Sequence, residues 1–262
     1  MGRRLQCPYC GQRTYWILSR GRRRCAGCRR DWRPRRLPLR LTAAEWRALL
    51  GWFCRGLSST AIAAETGLHR QRVLRALTVV RTAMTRDVPA VFRGTVEIDE
   101  TYVGGRWRNR RRAVRAQGAK RGRGTPKTPV FGIRCRSGQV WAQVVPDTEA
   151  ATLLALLRRH VRRGATVCSD ALPTYTGVAA KGYVHRLVDH TKGEYAAGRG
   201  THINGLEGFW GYLKRHLAAK GGIRRPQLPL YVAEYVWRYN HRGDSRAAQV
   251  TRLLQLLRMV PL

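Results

Sequence analysis

Acidic side chains are scarce in this sequence. Only 15 Asp and Glu residues stand against 51 Lys and Arg residues, so the formal net charge of the 262 residues is +36. Lysine is scarce as well, because it supplies 6 of the 51 cations and arginine supplies the rest. An imbalance of this size indicates a partner with dense negative charge, either a nucleic acid or an anionic membrane.

Long apolar runs are also absent. No run of 18 apolar residues predicts a membrane-spanning helix, and the N-terminal residues MGRRLQCPYC lack the apolar core of a signal peptide. We therefore expect a cytoplasmic protein with no membrane partner, which leaves nucleic acid as the favoured ligand. Hydrophobic residues still make up 44% of the chain, enough for one medium domain and one or two small ones.

Four of the seven cysteines form two CxxC pairs near the N-terminus. Fourteen residues separate the pair Cys7 and Cys10 from the pair Cys25 and Cys28. Four thiolates at this spacing can surround Zn²⁺ tetrahedrally, whereas disulfides are disfavoured in a chain without an export signal. We predict a structural zinc ribbon over residues 1–36 that holds about one zinc ion and presents its arginines to phosphates.

The next segment, residues 37–86, has the start signals of several helices. Thr42 is followed three residues later by Glu45, the pattern of a capping box at the start of a first helix. Ser58 or Ser59 can cap a second, short helix. This segment therefore predicts a small helical domain.

A further helix in this segment begins after a turn at Gly67 and carries Arg70 and Arg72 near its start. Two helices joined in this way are typical of a helix-turn-helix, whose second helix lies in the DNA major groove. Arginine at the start of that helix suits contacts with base edges. We expect double-stranded DNA binding, and the alternative is an ordinary helical hairpin with a solvated basic face.

Residues 93–262 have the pattern of an α/β layer domain. The stretch TVEIDETYVGG predicts a strand that carries Asp99 near its end, and the segments PVFGIRCR and QVWAQVV predict a hairpin. A helix over EAATLLALLRRHVRRG precedes a short strand that ends at Asp170. Mixed strands with helices on their faces make a mixed-sheet α/β fold.

Residues 106–128 interrupt this domain with ten Arg or Lys residues and no acid. Such a segment repels itself, so we expect a flexible basic loop that orders when its partner binds.

The stretch His202 to Leu217, HINGLEGFWGYLKRHL, predicts an amphipathic helix. On one face it carries Glu207 and, two turns later, Lys214. Its apolar stripe consists of Leu206, Phe209, Trp210, Leu213 and Leu217.

Carboxylates from three separate elements, Asp99, Asp170 and Glu207, make a candidate oxygen-ligand site for Mg²⁺ or Mn²⁺. Two such ions can align a water or a 3′-hydroxyl with a scissile phosphate. Glu97 and Glu100 compete with Asp99 for this role, and Glu97 shares the strand face of Asp99 by alternation. The sequence excludes neither of them.

Four blocks, VEIDETYVGG, CSDALPTY, HINGLEGFWGYLKRHL and YVAEYVWRYNHR, resemble the insertion-sequence transposases of the ISXO2-like group. Those proteins carry a zinc ribbon before an RNase H-like DDE domain. The resemblance implies that Asp99, Asp170 and Glu207 are an acidic triad that binds two divalent ions, and that Lys214 positions DNA. Because the third acid is sometimes replaced in related proteins, Asn204 is a secondary candidate beside Glu207.

We therefore expect a bacterial or archaeal, nucleoid-associated DNA transposase that works as a homo-oligomer on DNA. It would bind element ends, cleave a phosphodiester bond and join the freed 3′-hydroxyl to target DNA. Two alternatives remain open at this point: a structure-selective RNase H-like nuclease, and a catalytically silent DNA-binding regulator derived from a transposase.

Overall fold

The computed structural model describes residues 6–32, 37–89, 91–105, 112–116, 127–170, 173–188 and 203–259. These ranges contain eight α-helices and eight strands, arranged in one three-stranded and one five-stranded sheet. No helix in them is long and apolar enough to cross a membrane.

The four-cysteine module, residues 6–32, is a small antiparallel sheet. Its strands are β1 (Tyr15–Ile17), β2 (Arg23–Cys25) and β3 (Asp31–Trp32), paired in that order. Two cysteines and Trp32 make most of its buried core. A core of this size is too small to hold a fold on its own, which is why a metal is expected here.

The first long helix, α1 (Ala43–Cys54), begins with the predicted capping box. The Thr42 side chain accepts a hydrogen bond from the Glu45 N–H, and the Thr42 N–H donates to the Glu45 carboxylate. This prediction is confirmed. The two contacts satisfy N–H groups that a helix start leaves without a partner.

Two further helices, α2 (Ser59–Thr66) and α3 (Arg70–Met84), are joined by a tight turn. Ser58 is the residue that caps α2. Gly67 ends α2 with a φ of +66°, a left-handed conformation that suits glycine because it has no Cβ. The predicted order of helix, turn and helix is therefore present.

The five-stranded sheet has the order β6-β5-β4-β7-β8. The strands β4 (Thr95–Val103), β5 (Thr128–Cys135) and β6 (Val140–Val144) pair antiparallel, as the predicted hairpin requires. The strands β7 (Thr166–Asp170) and β8 (Val184–Val188) continue the sheet in parallel with β4. This mixed sheet confirms the predicted α/β class.

Helices cover both faces of this sheet. The helix α5 (Ala150–His160) packs on one face, and α6 (Asn204–Ala218) and α7 (Leu228–Asn240) pack on the other. All five residues of the predicted apolar stripe of α6 are buried. The stripe therefore decides which side of α6 faces the sheet and which side remains for chemistry.

The basic segment 106–128 is described only in part. Residues Arg112–Ala116 form a short helix, α4, where we expected a loop, and β5 already begins at Thr128. The rest of the predicted basic loop, except for Lys127, lies outside the described residues.

The last described helix, α8 (Arg246–Leu257), packs against α1 and α3. Its leucines share a core with residues of those two helices and with Trp237 of α7. The N-terminal helices and the C-terminal helices thus form one packed unit. The boundaries predicted from the sequence, 37–86 and 93–262, remain a proposal, but this core joins both ranges.

A buried ion network ties the same helices together. Glu234 of α7 accepts hydrogen bonds from Arg81 of α3 at 2.7 Å and from Arg238 at 2.9 Å. Arg238 also donates to the Phe53 carbonyl at the end of α1. Glu234 is only 1% exposed, so both of its charged partners are needed to offset its desolvation.

Candidate functional site

The four cysteines come together at one end of the four-cysteine module. The Sγ atoms of Cys7 and Cys28 are 3.6 Å apart, and those of Cys10 and Cys25 are 3.4 Å apart. All four sulfur atoms lie within 4.8 Å of one another. A Zn–S distance of about 2.3 Å in a tetrahedron places sulfur atoms about 3.8 Å apart, so the cluster fits Zn²⁺ in donor type and spacing.

The crowding of these thiols supports a bound cation. A backbone hydrogen bond with Arg30 lowers the pKa of Cys28, but desolvation and the other three thiols raise it to about 11. Thiols that resist ionisation beside one another become good ligands once a cation offsets their negative charge.

Replacement of Cys25 by serine is expected to remove the metal. Purified wild-type protein should contain about one zinc per chain by elemental analysis, and Cys25→Ser should contain almost none, since structural zinc sites need all four ligands. Limited proteolysis should then cut within residues 6–32. Cys54, which lies in α1 outside the cluster, provides the control, because Cys54→Ser should keep the zinc. Wild-type protein without zinc would contradict this assignment.

The second cluster lies where β4 and β7 run side by side. Each paired residue of β4 lies opposite the residue 71 positions later in β7. Asp170, the last residue of β7, is also 71 positions after Asp99, and its charge acts on Asp99 although the paired residues end at Glu97 and Cys168. Asp99 lies in the middle of β4, which continues to Val103, so the prediction that it is near the end of its strand is wrong. Their separation in the sequence matches the register of the sheet.

Asp99 sits in an environment that opposes its negative charge. Burial raises the pKa of Asp99 to about 7, and the charges of Glu100 and Asp170 add to this rise. Hydrogen bonds from the Trp210 indole at 2.9 Å and from the Glu100 N–H at 2.8 Å act in the opposite direction. A carboxylate this strongly perturbed, beside two other acids, is typical of a functional site.

Trp210 was predicted only as part of an apolar stripe, and its role at Asp99 is new information from the fold. The indole lies over Gly132, the cross-strand neighbour of Asp99, where a Cβ would come within 2.5 Å of the ring. Glycine at this position lets the indole reach the carboxylate. The signal in the sequence was that a buried tryptophan N–H needs an acceptor.

The remaining predicted site residues lie on α6. Glu207 is exposed in the first turn, three residues before Trp210, and Asn204 is the first residue of the helix. Lys214 lies one turn after Trp210; desolvation and the charge of Lys127 lower its pKa, and Asp99 partly offsets this. In the described part of the chain, the four cysteines are the one group of side chains whose ligand atoms lie close enough together to bind a metal ion. The carboxylate of Glu207 therefore does not form such a group with those of Asp99 and Asp170 in this structure.

The two acids that competed with Asp99 have different surroundings. Glu97 is completely buried and accepts hydrogen bonds from Arg134 at 3.0 Å, from Arg136 at 2.9 Å and from the Leu206 N–H at 2.6 Å. It therefore holds the first turn of α6 against the sheet. Glu100 accepts a hydrogen bond from the Tyr175 hydroxyl and stays next to Asp99.

The two predicted arginines of α3 also differ. Arg70 is exposed at the first position of the helix. Arg72 is half-buried and donates hydrogen bonds to the carbonyls of Leu39 at 3.1 Å and Arg40 at 3.3 Å. Arg72 thus ties α3 to the segment before α1, while Arg70 points its charge to solvent.

A curated protein of Haemophilus influenzae (strain ATCC 51907 / DSM 11121 / KW20 / Rd), named "Uncharacterized transposase-like protein", is 31% identical over 126 residues, which cover 48% of this chain and 97% of that protein.

Solved structures of Mos1 complexes show a weaker likeness. The Mos1 strand transfer complex has 13% identity and a TM-score of 0.22, covering 85% of this chain and 79% of that one. A pre-cleavage Mos1 transpososome has 11% identity and a TM-score of 0.21, covering 87% and 81%.

The sequence profile of the ISXO2-like transposase domain matches residues 91–240. This range is more than half of the chain, and it includes β4, β7 and α6 with Asp99, Asp170 and Glu207. The chain belongs to the ISXO2-like transposase family.

Proposed function

We propose that this transposase cleaves a phosphodiester bond at the ends of an insertion element and joins the freed 3′-hydroxyl to target DNA. The observation that carries the proposal is the closeness of Asp99, in the middle of β4, to Asp170 at the end of the neighbouring strand β7. Burial and the charges of Glu100 and Asp170 raise the pKa of Asp99 to about 7. In this proposal the mixed sheet is an RNase H-like catalytic domain, as the resemblance implies.

The acids of this site fit divalent cations by the chemistry of their donors. Asp99, Asp170 and Glu207 would hold Mg²⁺ or Mn²⁺, because carboxylate oxygens are the ligands these hard cations prefer. When bound, two such ions supply charge stabilisation to the transferring phosphate and align the attacking oxygen. Burial is the main cause of the raised pKa of Asp99, and bound cations would offset both this cost and the repulsion from Glu100 and Asp170.

The protein's own groups orient this site. Trp210 donates to one oxygen of Asp99, and the Glu100 N–H donates to the other, so the carboxylate has a fixed direction. Lys214 lies close enough to Asp99 for the carboxylate charge to affect the pKa of the lysine. At this position Lys214 would bind a DNA phosphate. Glu207 would complete the site when DNA and metal bind, which requires its exposed side chain to turn toward Asp99.

DNA recognition is assigned to the N-terminal part of the chain. The four-cysteine module would be a zinc ribbon, and α2 and α3 would be a helix-turn-helix that binds the element end as part of a homo-oligomer. The net charge of +36 supports strong attraction to the DNA backbone. The exposed start of α3, with Arg70, would face the major groove.

A strand-transfer assay tests this function. Purified protein, labelled element-end DNA and a supercoiled target plasmid are incubated with Mg²⁺, and joined products are separated on a gel. A transposase should produce covalent end–target joints, whereas a structure-selective nuclease should only cut and a silent regulator should only bind. Cleavage without joining, using ends defined by the inverted repeats that flank the gene, would overturn the proposal.

Replacement of Arg70 by alanine is expected to reduce binding to the element end more than binding to unrelated DNA. A lost contact with a base edge costs about 1–3 kcal/mol of discrimination, whereas a lost phosphate contact weakens all sequences alike. Arg72→Ala should in addition lower the melting temperature, because its guanidinium holds two backbone carbonyls. Competition binding and thermal melting measure both effects. Equal losses on both DNAs for Arg70→Ala would mean that it contacts only phosphate.

A further inference from the structure

The four-cysteine module exposes two aromatic rings. Seven large hydrophobic side chains are exposed in the described part of the chain, and three of them, Tyr9, Trp16 and Ile17, belong to this small module. Tyr9 is 55% exposed and Trp16 is 48% exposed, and no other aromatic side chain is in that exposed set. Single exposed apolar residues are ordinary, but two exposed aromatic rings within one 27-residue module, residues 6–32, indicate a binding site.

Each exposed ring carries an arginine. The guanidinium carbon of Arg29 lies 5.2 Å from the centre of the Trp16 ring, and that of Arg30 lies 5.1 Å from the centre of the Tyr9 ring. The single acid of residues 6–32, Asp31, is paired with Arg24 at 2.7 Å. The rings therefore lie in a positively charged surface, which suits a ligand with both flat rings and negative charge.

The backbone at Arg29 shows that this arginine occupies a position suited to glycine. In the first CxxC turn, Gly11 has a φ of +75° and its N–H donates to the Cys7 carbonyl at 3.0 Å. In the second turn, Arg29 has a φ of +59° and its N–H donates to the Cys25 carbonyl at 3.1 Å. A residue with a Cβ is strained in this conformation, and glycine is not. Glycine at position 29 would therefore remove the guanidinium and relax the backbone at the same time.

We propose that Tyr9, Trp16, Arg29 and Arg30 form a stacking surface for the unpaired bases of single-stranded DNA. Unpaired bases expose the flat faces that aromatic and guanidinium groups stack on, and their phosphates match the positive charge. Duplex DNA hides those faces inside its stack. The stacking surface extends the proposed function, because it would let the same protein hold the single strands that arise at a cut end.

The test compares two labelled oligonucleotides of the same length, oligo(dT) and a strand of abasic sites. The full-length, zinc-loaded protein is titrated against each in buffer without divalent ions, and binding is followed by fluorescence anisotropy. The two oligonucleotides have the same phosphates, so the electrostatic attraction between the basic protein and the phosphates contributes equally to both affinities. Stacking should make oligo(dT) bind about tenfold more tightly than the abasic strand.

Two variants should remove this preference. Trp16→Ala deletes an exposed ring, and Arg29→Gly deletes the guanidinium above it. Because glycine relieves the positive φ, Arg29→Gly should keep its zinc and should not melt at a lower temperature. Arg20→Gly is a matched control: Arg20 also has a positive φ of +56°, and it lies over no aromatic ring in the ranges that the structure covers. It should keep the preference for oligo(dT).

Equal binding of oligo(dT) and the abasic strand by the wild-type protein would overturn the proposal that these side chains stack on bases. The exposed rings would then be assigned to contact with a protein partner. An equal loss in Arg20→Gly and Arg29→Gly would also overturn it, since charge alone would then explain the effect. The binding test needs no cleavage. Failure of strand transfer with an intact preference for oligo(dT) would therefore count against the proposed function and not against the stacking surface.

Discussion

Asp99→Asn, Asp170→Asn and Glu207→Gln are each expected to lower DNA cleavage and strand transfer about a hundredfold or more. Each change keeps the shape of the side chain and removes a negative oxygen ligand. Metal stabilisation of a transferring phosphate is worth several kcal/mol, and each ~1.4 kcal/mol is a factor of ten in rate. End binding should survive or tighten slightly, because no positive charge is lost. Gel assays of cleavage, joining and end binding measure the three outcomes separately.

The control for these variants is Glu149→Gln. Glu149 is an exposed acid just before α5 whose side chain caps nothing, so the change removes the same charge without touching the site. Strand transfer by Glu207→Gln at near the wild-type rate in Mg²⁺ would contradict the assignment of the third ligand. If Asn204→Ala is then inactive, that ligand lies one helical turn earlier than we propose.

Glu97→Gln is unsuitable as a neutral control, although it also removes one acid near Asp99. Glu97 is fully buried between two arginines and the start of α6. Loss of its charge would remove the buried anion that both Arg134 and Arg136 contact, which typically costs about 3–5 kcal/mol. We therefore expect lower stability and lower activity together, whereas the Asp99 and Asp170 variants should lose activity alone.

Glu234→Gln is expected to destabilise the folded chain by about 3–5 kcal/mol, because it leaves the buried Arg81 and the half-buried Arg238 without this anion. Burial alone would raise the pKa of Glu234, but the charges of Arg238 and Arg81 hold that pKa below its usual value. The carboxylate is therefore ionised in the fold and stabilises it. For a chain of this size the melting temperature should fall by about 10 °C.

Asp244→Asn provides the comparison for Glu234. Asp244 pairs with His241 at 2.7 Å, but its side chain is 47% exposed, so the loss of that pair should cost less than about 1 kcal/mol. Thermal melting of both variants at neutral pH measures the difference. Equal melting temperatures for Glu234→Gln and the wild type would show that the helices hold together without the ion network. Zinc content should stay unchanged in both, because the network lies outside the four-cysteine module.

Local patterns predicted the helices and strands well, because periodicity and capping act within a few residues. The stripe of α6 repeats at three- and four-residue steps, and all five of its members are buried. The capping box at Thr42 formed as predicted, since its two partners are three residues apart. The short helix α4 within the basic segment was missed, because its charge pattern alone favoured a loop.

The partners of the acids depended on residues far away in the chain. Asp99 and Trp210 are 111 residues apart, and Glu97 and the Leu206 N–H are 109 residues apart, so no local signal joins them. The alternation of a strand placed Glu97 and Asp99 on one face. Strand alternation could not show that Glu97 pairs with two arginines, whereas Asp99 lies near the negative charge of Asp170.

The sequence by itself determined the net charge, the tetrad of cysteines, the α/β order of elements and the membership of the transposase family. Each of these depends on residue types and short spacings. The tertiary structure alone decided the parallel pairing of β4 with β7 that brings Asp170 near Asp99, the reach of Trp210 over Gly132, and the packing of α8 on α1 and α3. These depend on contacts between distant segments, whose free energies arise only when the sheet and its helices pack together.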